Sequence, residues 1–365
     1  MAPAIVIDVL PAGRGDALWI ECDTGGSRPW RMIVDGGMPD TFPVLRERVL
    51  ELDADDRIID LAVVSHIDAD HIGGLLALLT AAADLGVQFG DVWFNGLSQL
   101  PESEGVQSRS FREGESLVKL LSGAGSVPLP WNVAFGGCAA MTSGDAAIAL
   151  VELGAAPTIT LLSPTPCRLI ALRKTWDAAL EGVRRGVAPE PPSPPEPPAP
   201  LDDLEALAAT PTAMDGSRAN GSSIAFLLEH RGASALFAAD AFVPVLGAAL
   251  TTLANLRGGQ PVHLDAFKLS HHGSKANVTP ELLTLAPADR YVVCTNGDRF
   301  HHPDDIAIAR VVTCAPDDAE LWFNYRTAKT ARWDHVPLRA AHRYRTVYPD
   351  AARPGGVHLE LAGKP

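Results

Sequence analysis

Short apolar runs open the chain and alternate with segments rich in Gly, Pro, Arg and Asp. The runs within the first 35 residues are AIVIDVL, DALWIEC and RMIVD. Their length and β-branched content predict strands, and their close spacing predicts a meander. Helical spacing follows in FPVLRERVLELD, and RIIDLAVVS then predicts a buried strand that leads into a helix, GGLLALLTAAADL.

The same order of strands followed by helices occurs again in the second half of the chain. SSIAFLLEH and ASALFAAD predict a hairpin around Arg231 and Gly232, followed by a helix and the strand HLDAFKLS. From about residue 312 we expect a less regular C-terminal extension. Two sheets packed face to face with helices outside satisfy this pattern. We therefore predict the α/β (α+β) class, with residues 1–365 in a single four-layer αββα sandwich of two mixed sheets.

A proline-rich segment interrupts this pattern at residues 187–200, VAPEPPSPPEPPAP, where eight of twelve consecutive positions are Pro. Prolines lack the N–H group that helices and sheets require, so we predict a flexible insertion. An exposed insertion explains the segment better than a proline-rich ligand for a partner protein, although that role stays open.

Composition and charge narrow the possible functions. The chain has 365 residues, 47% of them hydrophobic, and a net charge of −14. Such a surface repels polyphosphate, so a nucleic-acid substrate would need a local basic patch or bound cations. The following basic side chains are possible members of such a patch: Arg173, Lys174, Arg184, Arg185, Arg339, Arg343 and Arg345.

The cysteines and the N-terminus indicate a compartment. The five cysteines are scattered without a CxxC motif, which favours a reducing environment over a disulfide framework. MAPAIVIDVL has no basic segment before its short apolar run, and no apolar stretch reaches the ~18 residues that a membrane span needs. We expect a cytoplasmic protein without a membrane partner.

The most informative stretch is SHIDADHIGG, which places His66, Asp68, Asp70 and His71 between a buried strand and a helix. Side chains in such a turn can converge on one point. Two imidazoles and two carboxylates suit Zn²⁺, Mn²⁺ or Fe. A polar loop with helix-capping aspartates is the simpler alternative, but the whole string after a strand is more specific than a lone DxDH and predicts a metal site.

Other metal-ligand side chains follow other predicted strands. Asp35 follows RMIV, Asp240 ends ALFAAD, His271 and His272 follow HLDAFKLS, and His302 comes shortly after YVVCTN. Each alone could be structural. Together they predict a site, because ligands at strand ends can group at one edge of a sheet.

These motifs resemble the metallo-β-lactamase superfamily. HxDxDHxGG, a later strand-terminal Asp and HHGS are its specific features. Within it, the chain is most similar to stand-alone relatives of the nuclease-like domain of ComEC-type competence proteins. GRGDALWIE resembles the "GQGDA" strand of that branch, and IVDGG, ANGSSIAFLLE and HHPDD support the likeness, which covers about residues 5 to 310.

The resemblance implies an αββα sandwich with one or two divalent ions, Zn²⁺ or Mn²⁺, at the sheet edges. It places His66 and Asp68 at one metal, Asp70 and His71 at the other, and Asp240 between them. His271 or His272 closes the second site, and the sequence does not choose between them; we assign His271 to the metal and His272 to catalysis with Asp70 and His302. Asp35 and Asn220 would orient the ligands.

Two departures from the superfamily pattern affect the expected metal site. Asp68 stands where the common form has His, and a carboxylate tilts the site toward Mn²⁺. The usual third histidine is missing, because His230 is the one His between residues 72 and 239 and lies within a predicted strand. Water, Asn95, Asn220 or His302 could complete the first metal position.

The function that we expect is a metal-dependent hydrolase, most simply of phosphodiesters, in which His302 or the non-ligand histidine of the pair protonates the leaving group. A hydrolase of a small ester, lactone, phosphocholine or cyclic nucleotide would use the same metals. A non-catalytic, metal-stabilised interaction module is a third possibility, disfavoured because a scaffold needs no open coordination position.

The proline-rich segment gives a first test. Replacing residues 187–200 with a Gly/Ser linker should leave the melting temperature nearly unchanged, because little in the segment is apolar enough to anchor a core. The measurement is a thermal melt beside wild type. A large fall in melting temperature would show that the segment packs on the body of the protein.

Overall fold

The structure is a computed structural model that describes residues 3–101, 112–123, 128–153, 157–184, 194, 197–352 and 355–364. Within those ranges the first sheet has the strand order β14-β1-β2-β3-β4-β5. Its strands are β1 (Pro3–Val9), β2 (Leu18–Cys22), β3 (Trp30–Val34), β4 (Ile58–Val63), β5 (Gln88–Trp93) and β14 (Val357–Ala362). The predicted meander is confirmed, since β1, β2 and β3 pair antiparallel, while β3, β4 and β5 pair parallel.

The second sheet combines the same two kinds of pairing. Its order in the described part of the chain is β13-β12-β11-β10-β9-β8-β7-β6, antiparallel from β6 to β9 and parallel from β9 to β13. Arg231 and Gly232, both with positive φ, form the predicted two-residue turn between β8 and β9. The strands are β6 (Ala149–Val151), β7 (Thr158–Ser163), β8 (Ala225–His230), β9 (Ala233–Phe237), β10 (Ala266–Lys268), β11 (Arg290–Val293), β12 (Glu320–Phe323) and β13 (Arg345–Val347).

The two sheets share a core. Ile7 and Leu18 from the first sheet belong to one buried cluster with Phe226, Phe237 and Val292 from the second. Successive side chains of a strand point to opposite faces of its sheet. The faces that point away from this shared core are also apolar, so they need cover. Burial of both faces explains why several strands read as continuous hydrophobic runs rather than as alternating patterns.

Helices supply that cover on both sides, and the predicted four-layer αββα architecture is confirmed. Over the first sheet lie α1 (Phe42–Leu50), α2 (Ala69–Thr80), α3 (Ala82–Leu85), α4 (Arg112–Leu121) and α5 (Pro166–Arg184). Over the second lie α6 (Leu204–Ala208), α7 (Val243–Leu256), α8 (Pro280–Leu285), α9 (Asp305–Cys314) and α11 (Val336–His342), with α10 (Ala328–Ala331) just before α11.

The C-terminal part differs from the irregular extension expected from about residue 312. It contains β12 and β13 of the second sheet and β14, which pairs with β1 at the edge of the first sheet. VHLELA alternates buried and exposed side chains along β14. Six alternating residues are a weak local signal, and the partner strand lies at the other end of the chain, so only the tertiary pairing shows this strand.

The proline-rich segment falls mostly outside the described residues, which omit 187–193, 195 and 196. Its described end is attached to the body. The backbone N–H of Ala199 donates to Asp305 Oδ2 at 2.9 Å, and the guanidinium of Arg332 donates to the Ala199 carbonyl and to Asp305 Oδ2. Residues 197–200 are largely exposed, but the backbone of Ala199 is hydrogen-bonded to Asp305 and Arg332, which holds this end of the segment to the body.

No helix in the described ranges is long and apolar enough to cross a membrane.

The C-terminal strand gives a test of stability. Leu359→Ala should lower the free energy of unfolding by about 2–5 kcal/mol, because the side chain is fully buried in the core between the sheets. Glu360→Ala, one residue further on the exposed face of β14, is the matched control and should change it by less than about 0.5 kcal/mol. Urea denaturation measures both, and equal effects would mean that β14 does not belong to the core.

Candidate metal centre

The predicted ligands meet because their strands end at the same edge. Asp35 follows β3, His66 follows β4 and Asp240 follows β9. His271 and His272 follow β10, the parallel neighbour of β9. The carboxyl ends of parallel strands form one edge of a sheet, and the two sheets bring these edges together.

Close backbone contacts fix the loops that carry the ligands. Asp68 lies just before α2, so Asp70 and His71 fall in the first turn of that helix. A Cβ at Gly74 would lie 2.1 Å from the Gly36 carbonyl oxygen, and a Cβ at Gly15 would lie 1.8 Å from the Asp70 carbonyl oxygen. Only glycine permits these approaches, which explains the glycines of DGG, HIGG and GRGDA.

His271 and His272 both have left-handed backbone, with φ of 50° and 54°. This conformation costs roughly 1–2 kcal/mol per non-glycine residue. It turns both imidazoles toward the same carboxylate, with His271 Nε2 at 3.7 Å and His272 Nε2 at 4.0 Å from Asp240 Oδ2. The strained turn thus serves the site.

Asp240 lies at the centre of the cluster. Its Oδ1 is 3.5 Å from His71 Nε2, and its Oδ2 is 3.9 Å from His66 Nε2. The Nε2 atoms of His66, His71 and His272 and Oδ1 of Asp240 are buried without a hydrogen-bond partner. Unpartnered buried polar atoms are rare in folded proteins, and these are metal-ligand atoms facing one another. The residues therefore fit a divalent cation.

The ligand atoms fall into overlapping groups. His66, His71 and Asp240 offer atoms within 4.8 Å of one another, and so do Asp70, His71 and His272. Asp68 Oδ2 lies 3.6 Å from His66 Nε2, beside the first group. The two groups have His71 in common, and Asp240 Oδ2 also lies 4.0 Å from His272 Nε2, so two neighbouring cation positions with Asp240 between them would match this arrangement.

The two histidines of the pair differ in their neighbours. His272 Nε2 lies 3.9 Å from Asp70 Oδ2, so His272, rather than His271, stands beside Asp70 and His71. His271 faces Asp240 from another side. The backbone angles of the turn decide which ring points where, and no local sequence pattern reveals them.

Asp35 has the predicted orienting position. Its carboxylate accepts hydrogen bonds from the backbone N–H and the hydroxyl of Ser65, each at 2.7 Å, and lies 2.8 Å from His71 Nδ1. A proton on Nδ1 leaves the Nε2 lone pair of His71 facing Asp240. This is the support that metal-ligating histidines usually have.

Asn220 lies behind His271, as expected for an orienting residue. Its side-chain N–H donates to Asp215 Oδ2 at 2.8 Å and lies 3.4 Å from His271 Nδ1. Asp215 and Asn277, which the sequence did not single out, complete this support, with Asn277 Oδ1 at 3.0 Å and Asp215 Oδ2 at 3.4 Å from His271 Nδ1.

Asp16 and Lys268 form a buried ion pair beneath the centre that sequence reasoning also missed. Asp16 Oδ1 lies 3.1 Å from His272 Nδ1. Burial alone would raise the pKa of Asp16, but Lys268 and His272 outweigh it and lower the pKa. The sequence could have indicated this ion pair, because Asp16 lies in the GRGDA motif and Lys268 comes shortly before the HHGS motif.

Asn95 and His302, which were also expected as possible ligands of the first metal, have other neighbours. The amide of Asn95 is engaged with the backbone of Ala140, through bonds of 2.9 and 2.8 Å. The ring centroid of His302 is 5.1 Å from that of His271, and its Nδ1 is 3.4 Å from Asp304 Oδ2. Burial lowers the pKa of His302, so its imidazole is mostly neutral near pH 7.

Four of the basic side chains proposed for a nucleic-acid-binding patch have partners within the protein. Arg173 donates to the Leu100 carbonyl at 2.6 Å. Arg339 pairs with Asp334, Arg343 with Asp317 and Arg345 with Glu320. Lys174 is exposed, and the side chains of Arg184 and Arg185 lie outside the described residues. The four arginines with contacts are therefore engaged by neighbouring groups of the protein itself.

Neighbouring carboxylates raise the pKa values of two histidines in the centre. Burial alone would lower the pKa of His71, but the carboxylates of Asp240 and Asp35 raise it well above its ordinary value. Burial would likewise lower the pKa of His271, but Asp240 and Asp215 raise it to about 9. Without a cation, the centre is therefore neutralised by protons on these histidines.

A model of the metallo-beta-lactamase superfamily matches residues 31–96, which carry Asp35 and the whole SHIDADHIGG stretch. The predicted resemblance to this superfamily is confirmed over that segment. No curated protein matched the chain. The relation to ComEC-type proteins stays an interpretation of the motifs.

Solved structures that are similar to the chain include a diphosphatase from the PhnP family, at 11% identity and a TM-score of 0.40, covering 99% of this chain and 100% of that chain. The metallo-beta-lactamase fold protein YhfI from Bacillus subtilis has 9% identity and a TM-score of 0.39, with 98% and 99% covered. The MIM-2 metallo-beta-lactamase has 12% identity and a TM-score of 0.32, with 85% and 87% covered.

The raised pKa values predict that metal binding releases protons. At pH 7 a divalent cation must displace the protons on His71 and His271, so titration calorimetry should show about one proton or more released per protein. The release should diminish as the pH rises through about 9, because His271 loses its own proton over that range. For the metal-free protein, the stability that this proton contributes is complete below pH 6.5 and is lost by about pH 9.

Calorimetry in two buffers of different ionisation enthalpy separates the proton release from the heat of binding. His358→Ala is the control. The pKa of His358 is also raised, but this histidine lies on the exposed face of β14, where it pairs with Asp8. The variant should release as many protons as wild type. Binding heats that do not depend on the buffer would contradict a protonated metal-free centre.

Proposed function

We propose that the protein is a metal-dependent hydrolase of phosphodiesters. The observation that carries the proposal is the set of four buried, unpartnered ligand atoms, on His66, His71, His272 and Asp240. A structural core would bury such atoms with hydrogen-bond partners. An interaction module would not need the additional carboxylates of Asp68 and Asp70 beside them.

The donor set supports Mn²⁺ or Zn²⁺, because it mixes imidazole nitrogens with carboxylate oxygens. A divalent cation bound here would lower the pKa of water and offset the negative charge of a scissile phosphate. Asp240 would face both cation positions. Asp70 and His272 would hold one of them, and Asp68 and His66 the other.

His302 is proposed as the group that exchanges a proton with the leaving oxygen. Its ring lies next to His271, and its Nδ1 faces the Asp304 carboxylate, which can hold a proton on that nitrogen. The lowered pKa of His302 implies that its neutral form dominates near pH 7. Proton donation would then become more efficient on the acid side of neutrality.

The relation to ComEC-type nuclease-like domains and a cytoplasmic location are part of the same proposal. They rest on GRGDALWIE, HHGS and the scattered cysteines of the sequence. Nucleic acid is the substrate that this relation favours.

A second function, hydrolysis of a small phosphoester, is favoured by a small pocket beside the centre. The pocket has a volume of about 130 Å³ and includes Asp215, which contacts His271. Arg168 lies over the Phe242 ring at 4.9 Å on its wall. This space suits one small anionic or apolar group.

Two substitutions test the centre and the proton donor separately. Asp240→Asn should reduce metal content and activity together, because the amide removes the charge that faces both cation positions. His302→Ala should lower turnover by about 10²–10⁴-fold while metal content stays near wild type. Elemental analysis is combined with hydrolysis of bis(p-nitrophenyl) phosphate and linear DNA by the Mn²⁺- or Zn²⁺-loaded protein. In His302→Ala, hydrolysis of the nitrophenyl diester should fall less than hydrolysis of DNA, because nitrophenolate leaves with little need for protonation.

Asp265→Asn is the matched control, a buried carboxylate bonded to Ser234 and Lys364 that should keep its metal. If His302→Ala loses metal as Asp240→Asn does, His302 is a ligand and its proposed acid role is wrong. If the loaded wild type cleaves neither substrate, the phosphodiesterase proposal fails and the small-phosphoester function takes precedence.

A further inference from the structure

The loop of residues 296–304, here the Phe300 loop, connects the metal centre to the surface through three rings. The rings of Phe300 and His302 are near-parallel, 26° apart, with centroids at 6.3 Å. The His302 ring meets His271 edge-on at 5.1 Å, and His271 Nε2 lies 3.7 Å from Asp240 Oδ2. His302 and His271 therefore connect Phe300 to Asp240 at the centre of the cluster.

The Phe300 side chain is 49% exposed. Among the described residues it is the one Phe, Trp or Tyr that lies largely at the surface. A single exposed apolar residue is ordinary, so exposure alone indicates nothing. This one is held in place by its backbone. His301 has a φ of 60°, and its carbonyl accepts from the ammonium group of Lys329. The backbone of the loop next to Phe300 is therefore tied to α10.

Arg299 adds a positive charge to the same surface. Its guanidinium carbon lies 5.3 Å from the Phe300 centroid, and its Nε is buried without a partner. The nearby carboxylates are engaged elsewhere, Asp298 with Asn296 and Asp304 with the backbone N–H of Lys275. The guanidinium shows no ion pair with any residue in the described ranges, which leaves it able to bind an anion.

We propose that the Phe300 loop binds a nucleobase of the substrate, with the base stacked on Phe300 and a neighbouring phosphate on Arg299. The inference rests on the proposed function and deepens it, because it makes the substrate a nucleotide diester or single-stranded nucleic acid. Every base has a π-face, so an aromatic platform with an adjacent cation binds single strands with little sequence preference.

The alternative of an alkyl or lipid ester fits this surface less well. An alkyl chain gains most from enclosed apolar walls, whereas the Phe300 ring is half exposed and has a guanidinium beside it. The protein also carries a net charge of −14, so a polyphosphate needs a local cation near the centre. The Arg299–Phe300 pair offers both features at one place.

Binding to matched trinucleotides tests the platform directly. The Mn²⁺-loaded protein is titrated against a labelled thymidine trinucleotide with phosphorothioate linkages and against its abasic analogue, with fluorescence anisotropy as the readout. Phe300→Ala should weaken binding of the thymidine ligand by about 5- to 100-fold relative to the abasic one. Phe300→Trp should restore the difference, and Phe300→Leu, which keeps apolar volume without the ring, should not.

Leu256→Ala is the control, since Leu256 is an exposed apolar residue, 71% exposed at the end of α7, outside the Phe300 loop. It should leave both affinities unchanged. An equal effect of Phe300→Ala on both ligands, or no effect on either, would overturn the proposal. Arg299→Gln should weaken both ligands, because both carry the phosphates.

A kinetic comparison separates this inference from the proposed function. Thymidine 5′-(p-nitrophenyl) phosphate and methyl p-nitrophenyl phosphate share a leaving group, and only the first has a base. Phe300→Ala should lower the ratio of their kcat/KM values by about tenfold. An unchanged ratio contradicts the platform. If wild type hydrolyses neither diester but still distinguishes thymidine from abasic ligands, the proposed hydrolysis fails while the base-binding loop stands.

Discussion

The structure depends on a buried carboxylate, Asp240, surrounded by imidazoles. Asp240 is 3% exposed, and four histidines place Nε2 within 4.0 Å of its oxygens. An isolated carboxylate at such depth would be strongly unfavourable. The protein accommodates it only with positive charge nearby, either protons on the histidines or bound cations. Folding and protonation are therefore coupled at this group, and the binding of a cation there would be coupled to both.

This coupling explains the residues that lie behind the ligands. Asp35 faces His71, Asp16 faces His272, and Asp215 faces His271, each at the Nδ1 side of the ring. Each carboxylate favours a proton on Nδ1 and so directs the Nε2 lone pair toward the centre. Lys268 offsets the charge of Asp16 in turn. The centre is thus a layered arrangement in which every buried charge has an opposite neighbour.

The two-sheet architecture makes this arrangement possible. Both sheets combine an antiparallel part with a parallel part, and the ligands follow strands of the parallel parts. The elements that carry them are buried on both faces, so their ends have little freedom to move. The Phe300 loop lies on the same edge but reaches the surface, and this is the place where we propose that a substrate contacts the protein.

The sequence by itself determined the architecture and most of the residues that meet in the candidate metal centre. Runs such as RIIDLAVVS and ASALFAAD are buried strands because apolar side chains must leave water, and the ligands had to lie where those strands end. Local patterns could not reveal contacts between distant segments. The pairing of β14 with β1, the ion pair of Asp16 with Lys268 and the choice of His272 beside Asp70 were decided by tertiary structure. Each depends on backbone directions and packing distances that no single stretch of sequence contains.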